Sequence, residues 1–187
     1  NDLLTFVAAD EVWLSSIEGG RAWRLTNDRA PVSRPRISPD GSHVAFISHR
    51  DGHPEVMLAA VDGGSIRRLT WWGGSNTMVL GWTHDGRVLA ASNAGEASIR
   101  HLVVKAVDLD GGVERLRYGP AGGVAQRTDG AVAISTPPGR PLSHWKRYRG
   151  GTAARLWLDT DGSGHWQRLL PQETAPMGDP MWVGQTL

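Results

Sequence analysis

The sequence predicts an all-β fold, a β-propeller of four-stranded antiparallel blades, on three observations. Two short markers recur in phase along the chain, the central runs of each period are apolar on both faces, and Asp-Gly pairs sit where tight hairpins need them. Self-similarity at a period of roughly 40–50 residues is the sign of stacked units that cannot bury their faces alone.

The first marker is an acid followed by glycines, then a strand ending in Arg-Leu. It reads Glu18-Gly19-Gly20 to Arg24-Leu25, Asp62-Gly63-Gly64 to Arg68-Leu69, Asp110-Gly111-Gly112 to Arg115-Leu116, and Asp161-Gly162-Ser163-Gly164 to Arg168-Leu169. The second marker interleaves with it: Ser38-Pro39-Asp40-Gly41, Thr83-His84-Asp85-Gly86 and Arg127-Thr128-Asp129-Gly130, at spacings of 45 and 44 residues.

Taken in order, a first blade over about 1–28 opens at its second strand, Leu3 to Ala8. The second, about 31–72, is the clearest, with strands Ser33 to Ser38, Val44 to His49, Glu55 to Val61 and Ile66 to Thr70. Val44 and Phe46 alternate with Ala45 and Ile47, so both faces of that strand are apolar, which places it inside a stack of sheets. Glycine supplies the positive φ of the hairpins without a Cβ penalty. A third blade covers about 76–119 and a fourth about 121–172, interrupted by an insertion over 137–153. A fifth starts over about 176–187, its first strand at Asp179 to Val183. About four blades are visible, an incomplete ring, and the isolated segment is expected to need further blades to fold.

Composition narrows the function. Twenty basic residues against 19 acidic give a net charge of +1, with no basic run, so there is no counterion-release drive toward nucleic acid. Without cysteine there is no disulfide framework, zinc ribbon or thiol nucleophile. The longest stretch lacking Asp, Glu, Lys and Arg, Leu69 to His84, is too short for a transmembrane span, so no membrane partner is expected.

The repeat units resemble those shared by TolB proteins, prolyl oligopeptidase relatives and tricorn proteases. The stretch from His144-Trp145-Lys146-Arg147-Tyr148-Arg149 to Thr152, with Arg155-Leu156-Trp157-Leu158, is similar to an insertion in the six-bladed N-terminal propeller of the tricorn family, as is the opening Phe6 to Trp13 to its first blade. That resemblance implies a six-bladed ring within a large cytoplasmic serine peptidase that degrades oligopeptides and assembles as a hexamer. The propeller serves there as scaffold and as gate or filter to the catalytic chamber. The nucleophilic Ser, its His and the supporting acid lie in that family's C-terminal region, so no catalytic residue is placed on this chain, and no cofactor is implied. The partners implied are oligopeptide substrates or products and the remaining domains of the same polypeptide. In archaeal members of the family, adjacent arginines in the loop after the second blade hold a peptide's C-terminal carboxylate; here that loop reads Gly73-Gly74-Ser75-Asn76-Thr77, so the resemblance does not transfer that role. Two alternatives stand beside this reading: a non-catalytic TolB-like propeller that binds protein partners, and the lid propeller of a prolyl oligopeptidase-type hydrolase.

Trp145, Lys146, Arg147, Tyr148 and Arg149 form the densest basic and aromatic cluster and are the candidate peptide or interface contacts, because guanidinium forks accept carboxylates in bidentate fashion. Asp159-Thr160-Asp161-Gly162 has the alternating carboxylates of a calcium loop but aligns with the other acid-glycine turns and lacks the terminal Glu, so a hairpin is expected and no metal. Ser48, His49 and Asp51 carry the residue types of a hydrolase triad without a nucleophile elbow. The tryptophans, most of them at or beside strands, are expected to fill gaps between blades.

Overall fold

The structure, a computed structural model, describes residues 2–27, 29–137 and 150–187. Among them there is no helix; fifteen strands form four antiparallel sheets, and the fold is a β-propeller segment. Sheet 1 holds β1 (Leu3–Ala8), β2 (Glu11–Ser16) and β3 (Trp23–Arg24). Sheet 2 holds β4 (Val32–Ile37), β5 (His43–Ser48), β6 (Glu55–Ala60) and β7 (Arg67–Arg68). Sheet 3 holds β8 (Thr77–Trp82), β9 (Val88–Ser92), β10 (Val103–Val107) and β11 (Val113–Pro120). Sheet 4 holds β12 (Gly123–Gln126), β13 (Val132–Ser135), β14 (Leu156–Asp159) and β15 (Gln167–Arg168). Each sheet is a meander in chain order, the arrangement that short Asp-Gly connections allow.

The doubly apolar strands are explained by what they touch. Val44, Phe46 and Met57 of sheet 2 face sheet 1, where Val12 and Leu14 meet them. Ala45, Ile47 and Leu58, on the opposite side of the same sheet, pack on Val79, Val88 and Ala90 of sheet 3. Sheet 3 turns Leu89, Ala91 and Val104 to Val132 and Ile134 of sheet 4. A period-2 strand can serve two cores only if neither face is wet, which is the propeller's stacking.

The two markers have distinct physical jobs. In the second, a hydroxyl seals the turn: Ser38 Oγ donates to Asp40 and accepts from the His43 amide at 2.9 Å, and Thr83 does the same for Asp85 and for the Arg87 amide at 2.8 Å. In the first, the threonine after Arg-Leu points inward to a buried glutamate at the start of the third strand, Thr70 to Glu55 in sheet 2 and Thr26 to Glu11 in sheet 1. This shared bond aligns β2 with β6, and therefore β1 with β5. Sheet 1 accordingly has no counterpart of β4 among the described residues.

One expectation needs correction and a second holds for only part of its residues. Asp179 to Val183 forms no strand; among the described residues the segment has a single bridge, Val183 to Thr186. The tryptophans divide: Trp72 and Trp82 pack against the core between sheets 2 and 3, and Trp157 and Trp166 against the core between sheets 3 and 4, whereas Trp71 is 70% exposed and Trp23 40%. Three of the rings lie under cations, with the Arg68 guanidinium 5.3 Å from the Trp71 ring, Lys105 Nζ 4.3 Å from Trp72 and Arg127 4.5 Å from Trp182.

Candidate functional site

The first strands of sheets 2, 3 and 4 stand side by side and, with Leu3, Leu4 and Thr5 of β1 and the segment 179–182, line a cavity of about 660 Å³ on the axial side of the stack. The repeat spacing of 45 and 44 residues aligns Arg34 with Val79, which is turned into the core between sheets 2 and 3, and with Gly123, and aligns Arg36 with Gly81 and Ala125. At both alignments sheet 2 alone carries a charge.

Local backbone geometry carries Arg34 into the cavity. The pairing of β4 with β5 slips between Ser33 and Arg36, so Arg34 and Pro35 together oppose Phe46. Proline, which has no N–H for the ladder, belongs at such a bulge. Arg34 takes φ +52° there, a left-handed conformation that costs a non-glycine residue of the order of 1–3 kcal/mol and is held only because the strand on either side is fixed.

Arg36 sits one step along. Its Nη1 donates to the Pro35 carbonyl at 3.0 Å, and its own carbonyl accepts the Trp82 indole N–H at 3.0 Å. Its side chain is open to water, yet the protein walls around it limit how much water reaches the charge. That enclosure, followed by the like charge of Arg34, pulls the Arg36 pKa below the usual arginine value; Asp179 opposes the shift.

Asp179 is the third charged group of the cavity wall, 3.9 Å from Arg34 Nη1 and with its own φ at +50°. Its position depends on Gly123, because a Cβ added there would lie 3.0 Å from Pro180 Cδ and 3.2 Å from the Asp179 amide. The segment is fastened further on by Trp182, whose indole donates to the Ala125 carbonyl at 3.3 Å, and by Arg127, which donates to the Gln185 carbonyl at 3.3 Å. Trp182 on Ala125 thus repeats, two intervals round the ring, the bond of Trp82 to Arg36.

The residues singled out from the sequence fare differently. Trp145, Lys146, Arg147, Tyr148 and Arg149 lie outside the described residues. The Asp159 carboxylate is taken up by the amide of Gly164 at 2.7 Å, and Asp161 by that of Ser163 at 3.1 Å, so the calcium-like run is a capped hairpin. The carboxylate of Asp51 binds Arg68 Nη1 at 2.6 Å, so it is not the orienting partner that a triad histidine at 49 needs. Arg34, Arg36 and Asp179 were not singled out; their signal is an Arg-Pro-Arg run at a register where the other repeats carry uncharged residues.

The profile of the tricorn protease N-terminal beta propeller domain matches residues 1–187, the whole chain. The chain belongs to that family. Tricorn protease homolog 1 of Streptomyces coelicolor is 50% identical over 187 residues, which are 100% of this chain and 17% of that protein. The tricorn protease of Thermoplasma acidophilum is 25% identical over 196 residues, covering 100% of this chain and 18% of the protein. The tricorn protease crystal structure superposes with a TM-score of 0.86 at 25% identity, over 98% of this chain and 19% of that one. The chain therefore spans about a fifth of the length of the tricorn relatives it matches. TolB of Acinetobacter baumannii, at 20% identity and a TM-score of 0.66 over 90% of this chain and 40% of that one, shares the fold.

Proposed function

We propose that this tricorn-family propeller is the N-terminal part of a serine-type peptidase that degrades oligopeptides in the cytoplasm, and that it acts as scaffold and as gate or filter to the catalytic chamber. The observation that carries the reading is the axial cavity, whose charged wall, Arg34, Arg36 and Asp179, has a surplus of positive charge suited to peptide carboxylates. The chemistry is supplied by other domains of the same polypeptide, which assembles as a hexamer. In the insertion, Lys146, Arg147 and Arg149, with Trp145 and Tyr148, contact peptides or a neighbouring subunit.

The test uses the full-length polypeptide. Hydrolysis of oligopeptides together with a native mass of several chains supports the reading; a small monomer without peptidase activity overturns it. Changing Arg147→Ala and Arg149→Ala together is expected to slow turnover of carboxylate-terminated peptides or to weaken assembly. Unchanged turnover with unchanged assembly removes the insertion from the account.

A further inference from the structure

Sheet 3 departs from the two sheets before it at its outer strand. In sheets 1 and 2 the third strand begins with a glutamate, Glu11 or Glu55, and the threonine after the outer Arg-Leu closes on it. Ser48 stands opposite Glu55 and Ser92 opposite Val103, so Val103 takes the glutamate's place in sheet 3. The residue after Arg115-Leu116 is Arg117, a cation in the threonine's place with the carboxylate gone. Arg117 is exposed and has no hydrogen-bond or ion-pair partner among the described residues. The backbone opens at the same point. Pairing of β10 with β11 passes from Lys105 opposite Arg115 to Val103 opposite Pro120, so Leu116 to Gly119 together oppose Val104 and the outer strand arches away. The arch is anchored toward sheet 4, where Leu116 packs on the core and the Tyr118 hydroxyl accepts the Gln126 amide at 2.6 Å. Alternation turns Arg115 and Arg117 to the other face, and there, with His101 and Val103, they line a cavity of about 320 Å³. Beside it Glu96 meets His101 Nδ1 at 2.9 Å and Arg115 Nη1 at 3.1 Å, which fixes both side chains. Two guanidinium groups against one carboxylate leave the pocket net positive.

We propose that the cavity under this arch binds a small phosphate monoester, anchored by Arg117 with Arg115 and His101 beside it. A carboxylate is satisfied by one guanidinium fork, whereas three nitrogen-bearing groups around one space suit an anion with three terminal oxygens. The imidazole gives Nδ1 to Glu96; its Nε2 accepts the hydroxyl of a monoprotonated phosphoryl group or, as imidazolium, donates to the dianion. Val103 and Leu116 supply apolar wall for the carbons of the ester. The volume lies at the small end of ligand pockets, about 300–1,000 Å³, which suits an ester of a few carbons. The site is on the outermost strand of sheet 3, at the opposite edge of the sheet from β8 and the axial cavity, and sheets 2 and 4 flank sheet 3 on its two faces. It is therefore independent of the peptide route.

The experiment is isothermal calorimetry on the full-length protein in phosphate-free buffer. The probes are β-glycerophosphate, inorganic phosphate, acetate and a phosphoserine peptide flanked by alanines. Saturable binding of β-glycerophosphate is expected, with none for acetate. Arg117→Gln should weaken it about tenfold or more, the scale of a hydrogen bond to a charged group, and Arg115→Gln should act in the same direction. Arg21→Gln, at an exposed arginine between β2 and β3, should leave it unchanged. All three variants alter exposed side chains, and melting curves matched to wild type confirm that each is folded. Unchanged affinity in Arg117→Gln would overturn the proposal, as would acetate binding as tightly as the ester. Inorganic phosphate bound with the ester excluded contradicts it too. Tighter binding of the phosphopeptide than of the free ester also overturns it, because the surface would then be a docking site for a modified protein.

Discussion

Trp82 donates its indole N–H to the carbonyl oxygen of Arg36 at 3.0 Å, and this bond ties the first strand of sheet 3 to the bulged strand of sheet 2. It holds the backbone at the point where the chain aims two arginines at the axis. Trp182 makes the matching bond to Ala125 two intervals further on. Trp82→Phe keeps the apolar packing against the core between sheets 2 and 3 but removes the donor. The expected loss is about 0.5–1.5 kcal/mol, read as a lower melting temperature by calorimetry, and Trp82→Phe should loosen the Arg34 and Arg36 amides in hydrogen exchange.

The buried glutamate of each early sheet depends on one hydroxyl. Glu55 is 1% exposed and receives the Thr70 hydroxyl and the Gly73 amide, the latter at 2.8 Å, while Arg68 Nη2 stands 3.2 Å away. Thr70→Val is close in shape and leaves the carboxylate short of a donor. Denaturant titration should show a loss of about 1–3 kcal/mol, with Thr26→Val acting in the same direction on Glu11 in sheet 1.

The same carboxylate sets a pH dependence. Burial pushes the Glu55 pKa up, but the Thr70 hydroxyl, the Gly73 and Trp72 amides and the Arg68 charge outweigh it, and the net shift is downward from 4.5. A folded-state pKa below the unfolded one means that the contribution is complete above about pH 4.5 and is lost as pH falls through the depressed value. Asp40, held at about 2 by the Ser38 and Ser42 hydroxyls, titrates in the same direction at lower pH. Melting temperature is therefore expected to drop on acidification below that point, and Glu55→Gln should shallow the drop; an identical pH profile in the variant would contradict this assignment.

Gly123 is needed for proximity. Because its added Cβ would meet Ser135 Oγ at 2.9 Å as well as Pro180 and the Asp179 amide, Gly123→Ala should push the 179–182 segment away from β12. Hydrogen exchange of residues 179–187 should rise while that of β13 stays protected.

The sheets were legible because their signals are local. Alternation and Asp-Gly turns placed a strand at Val44 to His49 where one forms at His43–Ser48, and Glu55 to Val61 matches Glu55–Ala60 within a residue. The outer strand expected from Ile66 to Thr70 shortens to Arg67–Arg68, since only one side of it has a partner. The axial charges were not legible, because alternation identifies the faces of a strand but not which level of it opens on the axis. The slip between Ser33 and Arg36 breaks even that alternation, and Arg34 was one of 18 arginines until the bulge and Asp179 distinguished it.

A peptide route through the axial cavity can be narrowed from its own wall, and Gly81 allows a direct test. It lines the cavity at the level of Arg36, and a Cβ added to it meets nothing within 4 Å, so a larger side chain projects into the opening without disturbing the sheet. The measurement is oligopeptide turnover by the full-length Gly81→Trp variant beside wild type, at matched melting temperature. A several-fold fall for longer peptides, with dipeptide-sized substrates affected less, is the predicted result; equal turnover of all lengths would contradict the claim.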